Sequence, residues 1–119
     1  MIGLISINHK TASLSRRELF ALTSEEATAL VRLWKEEGGV AGAIVLSTCN
    51  RLEIYYDSSE KITRELESRL LESLYRFKQV RHRGDESIFV TARQEEAVLH
   101  LFRLASGLES MVLGETQIL

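Results

Sequence analysis

The sequence predicts an α+β fold, and three observations predict it. Short apolar runs with strand character recur over residues 3–7, 42–47, 52–56 and 87–90. The segments between them carry apolar residues at helical spacing instead. Their order, β-α-α-β-β-α-β-α, is close to that of two interleaved βαβ units. The expected architecture is therefore a ferredoxin-like split βαβ: a four-stranded antiparallel sheet with helices on one face, plus a C-terminal helical part.

Residues 3–7 read as a first strand, apolar on both faces except at Ser6. Asn8-His9-Lys10-Thr11-Ala12 is a polar exit loop. Ser15 and Glu18 have capping-box spacing and predict a short helix to about Leu22. Thr23 and Glu26 repeat the device and start a longer helix with the stripe Ala27, Leu30, Val31 and Trp34. Gly38-Gly39 ends it, because glycine accepts the left-handed conformation of a C-terminal cap.

The second strand, 42–47, is continuously apolar and so central and covered on both faces. In the third, 52–56, Leu52, Ile54 and Tyr56 share one face while Glu53 and Tyr55 take the other. Residues 61–77 form an amphipathic helix buried through Ile62, Leu66, Leu70, Leu74 and Phe77, with Arg64, Glu65, Glu67, Arg69 and Glu72 facing water. A polar loop over 78–85 leads to the fourth strand. Thr91 and Gln94 suggest a third capping box, for a helix to about Ser106 with Ala97, Val98, Leu101, Phe102 and Ala105 on its core side. The chain ends on apolar residues with no cap or charged tail, which predicts that the polypeptide continues as a helix beyond Leu119.

The bulk numbers fit one ordinary globular domain: 119 residues, 45% hydrophobic and 27% charged. No apolar run is long enough to span a bilayer, and the N-terminus reads as a strand rather than a signal peptide. A single cysteine excludes an internal disulfide and a cysteine-rich metal site, and points to a reducing compartment, the cytoplasm. The net charge of −2 does not advertise nucleic-acid binding. Arg76, Lys78, Arg81, His82 and Arg83 nevertheless cluster in a loop, which reads first as a solvated surface and second as a phosphate contact.

That one cysteine stands in Ser47-Thr48-Cys49-Asn50-Arg51, directly after a buried strand. The neighbours are polar and a permanent cation follows two residues on, which suits a nucleophile. A small buried hydrophobe is the alternative, and is the commoner fate of a free cysteine. Arg51 could favour the thiolate, or could pair its guanidinium fork with a substrate carboxylate. Thr48 and Asn50 supply hydrogen-bond donors beside the reacting centre. His9, His82 and His100 are candidate bases, although His100, between Leu99 and Leu101, reads first as a helix residue satisfied locally. No glycine-rich phosphate loop follows a strand, so a nicotinamide site is missing from this chain.

Four stretches together resemble one family. Ser47-Thr48-Cys49-Asn50-Arg51 with Leu52-Glu53-Ile54-Tyr55 is similar to the signature of the glutamyl-tRNA reductases. Asn8-His9-Lys10-Thr11-Ala12 with Arg17-Glu18 resembles their N-terminal motif, and residues 100–111 resemble their helical motif. Gly114-Glu115-Thr116-Gln117-Ile118-Leu119 resembles the segment that opens their long helix. Ser13 and Thr116 stand where the family usually has proline, which affects backbone stiffness rather than reacting groups.

The resemblance implies the N-terminal catalytic domain, over residues 1–119, of a longer protein whose NADPH-binding and dimerisation domains are absent here. The implied reaction is NADPH-dependent reduction of glutamyl-tRNA to glutamate 1-semialdehyde through a cysteine thioester. It is the first step of five-carbon tetrapyrrole (porphyrin, 5-aminolevulinate) synthesis. The resemblance makes Cys49 the nucleophile and His100 a catalytic residue, and it places Thr48, Asn50, Arg51, Ser110, Glu115, Thr116 and Gln117 at the substrate. Arg51 would clamp the γ-carboxylate, and the charge of Glu115 suits the α-ammonium. The implied partners are glutamyl-tRNA, a second copy bound through the missing C-terminal part, and a downstream aminomutase. The implied cofactor is NADPH, with no metal and no membrane. Two other readings stand beside it: a non-catalytic RNA-binding module of ferredoxin-like fold, and a thiol ester hydrolase using Cys49 and a histidine.

Overall fold

The computed structural model describes residues 1–81, 88–108 and 115–118; for residues 107–108 and 115–118 it describes the backbone alone. The elements run β1 (Ile2–Asn8), α1 (Leu14–Phe20), α2 (Ser24–Glu37), β2 (Val40–Ser47), β3 (Arg51–Ser58), α3 (Arg64–Phe77), β4 (Val90–Arg93), α4 (Glu95–Leu108) and β5 (Glu115–Ile118). The sheet is antiparallel in the order β4-β1-β3-β2-β5. Its first four strands have the split βαβ arrangement, so the expected α+β class holds.

Period-two alternation divides the sheet into two faces. Ile5, Ile7, Val45, Leu52, Ile54 and Tyr56 point one way, onto Phe20 of α1, Leu30 and Trp34 of α2, and Leu66, Leu70 and Leu74 of α3. The other face is smaller. Leu4, Leu46, Tyr55 and Ala92 pack there against Ala97 of α4, with Leu101 and Leu104 at the margin. Thus α1, α2 and α3 share one face as expected, while α4 covers the opposite one.

On the larger face Gly3 pairs with Tyr56 across β1 and β3, and a Cβ built on Gly3 would overlap the Tyr56 ring. The ring therefore lies flat over the β1 backbone and meets Trp34 edge-on, with centroids 6.1 Å apart. Only glycine leaves room for that crossing.

Several local expectations shift. Ser13, not Ser15, caps α1, its hydroxyl accepting from the Arg16 amide. The Thr23–Glu26 capping box closes from both sides, as its spacing predicts. The third helix starts at Arg64 behind the Thr63 cap, so Ile62 is buried ahead of the helix rather than in it. Glu67, expected to face water, is buried and held bidentately by Arg93 at 2.7 and 3.0 Å.

The fourth strand falls later than expected, and Thr91 pairs within it instead of capping α4. Gln94 makes the corner with φ of 53°, its amide donating to the Ile2 carbonyl and its own carbonyl accepting from the Val98 amide. The inward stripe of α4 is consequently Ala97, His100, Leu101 and Leu104, whereas Val98 and Phe102 lie exposed. Two stripes of similar apolarity compete on that helix, and the corner at Gln94 decides between them. The last described segment, expected to open a helix, is strand β5 instead, paired antiparallel to the free edge of β2 from Ser47↔Glu115 to Ile44↔Ile118. An unpaired edge of a central apolar strand is a strong backbone template.

Candidate active site

The central strands β2 and β3 meet in a tight hairpin with Cys49 and Asn50 at its tip. The Thr48 amide donates to the Arg51 carbonyl at 2.8 Å. The return bond is not made by the Thr48 carbonyl. Its side-chain oxygen instead accepts from the Asn50 and Arg51 amides at 3.2 and 3.3 Å. A threonine hydroxyl that mimics a backbone acceptor in this way tightens a turn. It leaves Cys49 exposed, and no described residue hydrogen-bonds its thiol.

Two contacts from neighbouring segments brace the tip. Arg17 of α1 donates through Nε to the Cys49 carbonyl at 3.4 Å and through Nη1 to the Ala12 carbonyl at 2.9 Å. The Ser47 hydroxyl accepts from the Leu22 amide at 3.0 Å. The exit loop after β1 closes on itself through Asn8 and Thr11, and Asn8 faces Arg51 across the ladder. The two strand-end loops around His9 and Cys49 thus lie at the same end of the sheet.

From the hairpin a polar row descends β3 on the α4 side. Arg51, Glu53 and Tyr55 alternate along the strand and so share a face. Arg51 Nη1 reaches Glu53 Oε1 at 3.3 Å, and the Tyr55 hydroxyl donates to Glu53 Oε2 at 2.6 Å. His100 of α4 brings Nδ1 to 2.8 Å from the Tyr55 oxygen and 3.2 Å from Glu53 Oε2. The Glu53 side chain is 1% exposed. A buried carboxylate is tolerated only with partners of this kind, and here it has three. Burial, followed by the hydrogen bond to Glu53 and that group's charge, pushes the Tyr55 hydroxyl far above its ordinary range. Tyr55 therefore keeps its proton.

The structure brings Thr48, Cys49, Asn50 and Arg51 together at one tip and joins Arg51 to His100 through Glu53. No described hydrogen bond joins Cys49 to His100. β5 runs beside the β2 end of the hairpin, with Glu115 opposite Ser47, Thr116 opposite Leu46 and Gln117 opposite Val45. Ser110 and His82 lie outside the described residues. Glu53 and Tyr55 were not among the residues singled out from sequence. Their signal was the i, i+2, i+4 alternation with Arg51, which puts a carboxylate on an otherwise covered strand.

The basic cluster is partly consumed within the fold. Arg76 pairs with Glu37 at 3.4 Å, and Lys78 pairs with Glu26 at 2.7 Å while capping the Ala21 carbonyl at 2.8 Å. Two of its cations thus have internal partners, which weakens the nucleic-acid reading. Among the described residues no group of three or more His, Cys, Asp or Glu side chains could hold a metal ion. The described residues also do not fit a nicotinamide dinucleotide. Gly38 and Gly39 end α2 and lead into β2, whereas a pyrophosphate cradle needs glycines between a strand and the helix after it.

The comparisons with known proteins agree with one another. The family described as glutamyl-tRNAGlu reductase, N-terminal domain, matches residues 5–119. The chain is 36% identical to a glutamyl-tRNA reductase of Pasteurella multocida over 99% of its own length and 28% of that protein's. It is 38% identical to one of Heliobacterium mobile, over 99% and 26%. Among solved structures it resembles the glutamyl-tRNA reductase from Methanopyrus kandleri with a TM-score of 0.64 and 34% identity, covering 96% of this chain and 24% of that one. The chain thus spans about a quarter of the length of these relatives.

Proposed function

Since this chain belongs to the glutamyl-tRNA reductase family, as its N-terminal domain, we propose that it carries out the acylation half of that reaction at Cys49. The observation that carries this reading is the hairpin tip, where an exposed thiol stands two residues from an arginine whose guanidinium is fixed from behind by buried Glu53.

The chemistry follows from the groups. Cys49, as thiolate, attacks the carbonyl carbon of the ester joining glutamate to the tRNA ribose. The new C–S bond forms as the C–O bond to the ribose breaks, and the departing ribose oxygen takes a proton. Glutamate remains on Cys49 as a thioester. Arg51 commits one N–H to Glu53, and the rest of its fork is free to pair with the substrate γ-carboxylate. Thr48 and Asn50 line the same tip. By the family resemblance Ser110, Glu115, Thr116 and Gln117 supply further substrate contacts, and the charge of Glu115 suits the α-ammonium. His100 carries protons between thiol, ribose oxygen and solvent.

NADPH, bound by residues other than these, would supply the hydride that releases glutamate 1-semialdehyde from the thioester. The product would feed tetrapyrrole synthesis through an aminomutase. Dimerisation through a C-terminal part and a cytoplasmic location complete the reading.

Incubation of the 119-residue chain with glutamyl-tRNA, followed by intact-mass analysis, tests it. The expected result is a glutamyl adduct on the wild type and none on Cys49→Ser. With no hydride donor present the thioester should drain slowly to free glutamate, which is the hydrolase activity in weakened form. An unmodified wild type, behaving as Cys49→Ser does, overturns the proposal.

A further inference from the structure

His100 has two ring nitrogens, and in the neutral ring one donates while the other accepts. The buried row on β3 decides which is which. Glu53 is a carboxylate held by Arg51, so it can only accept. The Tyr55 hydroxyl has a single proton and spends it on Glu53 Oε2 at 2.6 Å. Toward His100 the Tyr55 oxygen can therefore only accept, and the ring nitrogen 2.8 Å away, Nδ1, must donate. The second neighbour of Nδ1, Glu53 Oε2 at 3.2 Å, is also an acceptor. No described residue engages Nε2, and the His100 side chain is 39% exposed.

We propose that Tyr55, pinned by Glu53, is a positioning residue that fixes His100 as the Nδ1–H tautomer and leaves Nε2 as the nitrogen that takes and gives protons. The proposal rests on the reading of His100 as proton carrier and adds the device that orients it. Free imidazole side chains favour the other tautomer, so the contact imposes a choice rather than following one. It also explains why a carboxylate is buried in the middle of the sheet. Its charge denies the Tyr55 proton to His100 and steadies Arg51 at the same time.

Nitrogen-15 NMR of the imidazole rings of the 119-residue chain, with His100 assigned by its absence in His100→Gln, is the direct test. At alkaline pH the wild type should show Nδ1 protonated and Nε2 bare. Glu53→Gln should reverse this. Arg51 keeps the amide oxygen on its own side, so the amide nitrogen donates to the Tyr55 oxygen and the Tyr55 proton turns to Nδ1. Tyr55→Phe should raise the Nε2–H share. A wild type with Nε2 protonated overturns the proposal, as does Glu53→Gln with its tautomer unchanged or Tyr55→Phe with no shift.

The kinetic readout separates positioning from packing. Tyr55→Phe should slow Cys49 acylation on the order of tenfold, less than the ~10²-fold or more expected for losing an acid–base group outright. In a His100→Ala background it should cause no further loss. An equal loss in both backgrounds means Tyr55 acts on the fold and not through His100, which also overturns the proposal. If the wild type is not acylated at all, the functional reading fails, and the tautomer measurements still decide this one.

Discussion

The two faces of the sheet are built on different rules. The face under α1, α2 and α3 is aromatic and largely dry, with Phe20, Trp34 and Tyr56 fully buried and the Glu67–Arg93 pair set at its β4 edge. The α4 face has a thin apolar patch around Leu4, Leu46 and Ala97, with a buried charge threaded through it. Neighbouring residues of one strand show the contrast. Tyr56 points into the dry face, and its hydroxyl finds no hydrogen-bond partner among the described residues. Tyr55 points the other way, and its hydroxyl has two. One face holds the strands rigid, so that the other can afford polar groups in fixed positions.

The largest test of that division is on the dry side. Trp34→Ala should cost about 3–5 kcal/mol, because a fully buried ring leaves a cavity that the packed helices cannot close. Urea denaturation should show a large loss of unfolding free energy, and a loss under about 1 kcal/mol would remove the dry face from its structural role.

The paired tyrosines sharpen the comparison. Tyr55→Phe should destabilise by about 1–3 kcal/mol, since it takes a donor from a buried carboxylate. Tyr56→Phe should change stability by less than about 0.5 kcal/mol, because it removes a hydroxyl with no described partner. Equal costs at the two positions would break the distinction between faces.

A further effect of the Tyr56 environment appears at alkaline pH. Burial, and then the charge of Glu67, push the Tyr56 hydroxyl up to about 12 from its ordinary value of 10.0. A raised value favours the protonated form in the folded state. The associated stability is fully present below pH 10.0 and is lost as pH climbs toward about 12. Tyrosinate absorbance followed with denaturant midpoints across that window should show the loss, and Tyr56→Phe should lessen it.

Much of this was legible in the residues, and the exceptions share a cause. Alternation in β3 and the Thr23–Glu26 box are local signals, and both read through to the structure. The cap at Ser13, the later start of β4 and the inward stripe of α4 depend on where a neighbouring strand ends. At the site, the sequence pointed to Cys49 and Arg51 because both lie in one short polar turn. The partnership of Glu53 and Tyr55 with His100 spans 45 residues between strand and helix, and period alone could not show it. β5 was illegible for a similar reason, because Glu115 to Ile118 become a strand only against the edge that β2 offers.

The shortness of the hairpin at Cys49 has a consequence for how this protein could be altered. Thr48 and Arg51 leave room for Cys49 and Asn50 between them and nothing more. Strand side chains alternate, so one inserted amino acid here that slid β3 by a single position would exchange its two sides. Arg51, Glu53 and Tyr55 would turn toward Trp34, and Leu52, Ile54 and Tyr56 toward α4. Loop length is thus the phase setting of the whole site, and grafting, tagging or lengthening at this turn would rewrite the chemistry without touching a reacting atom.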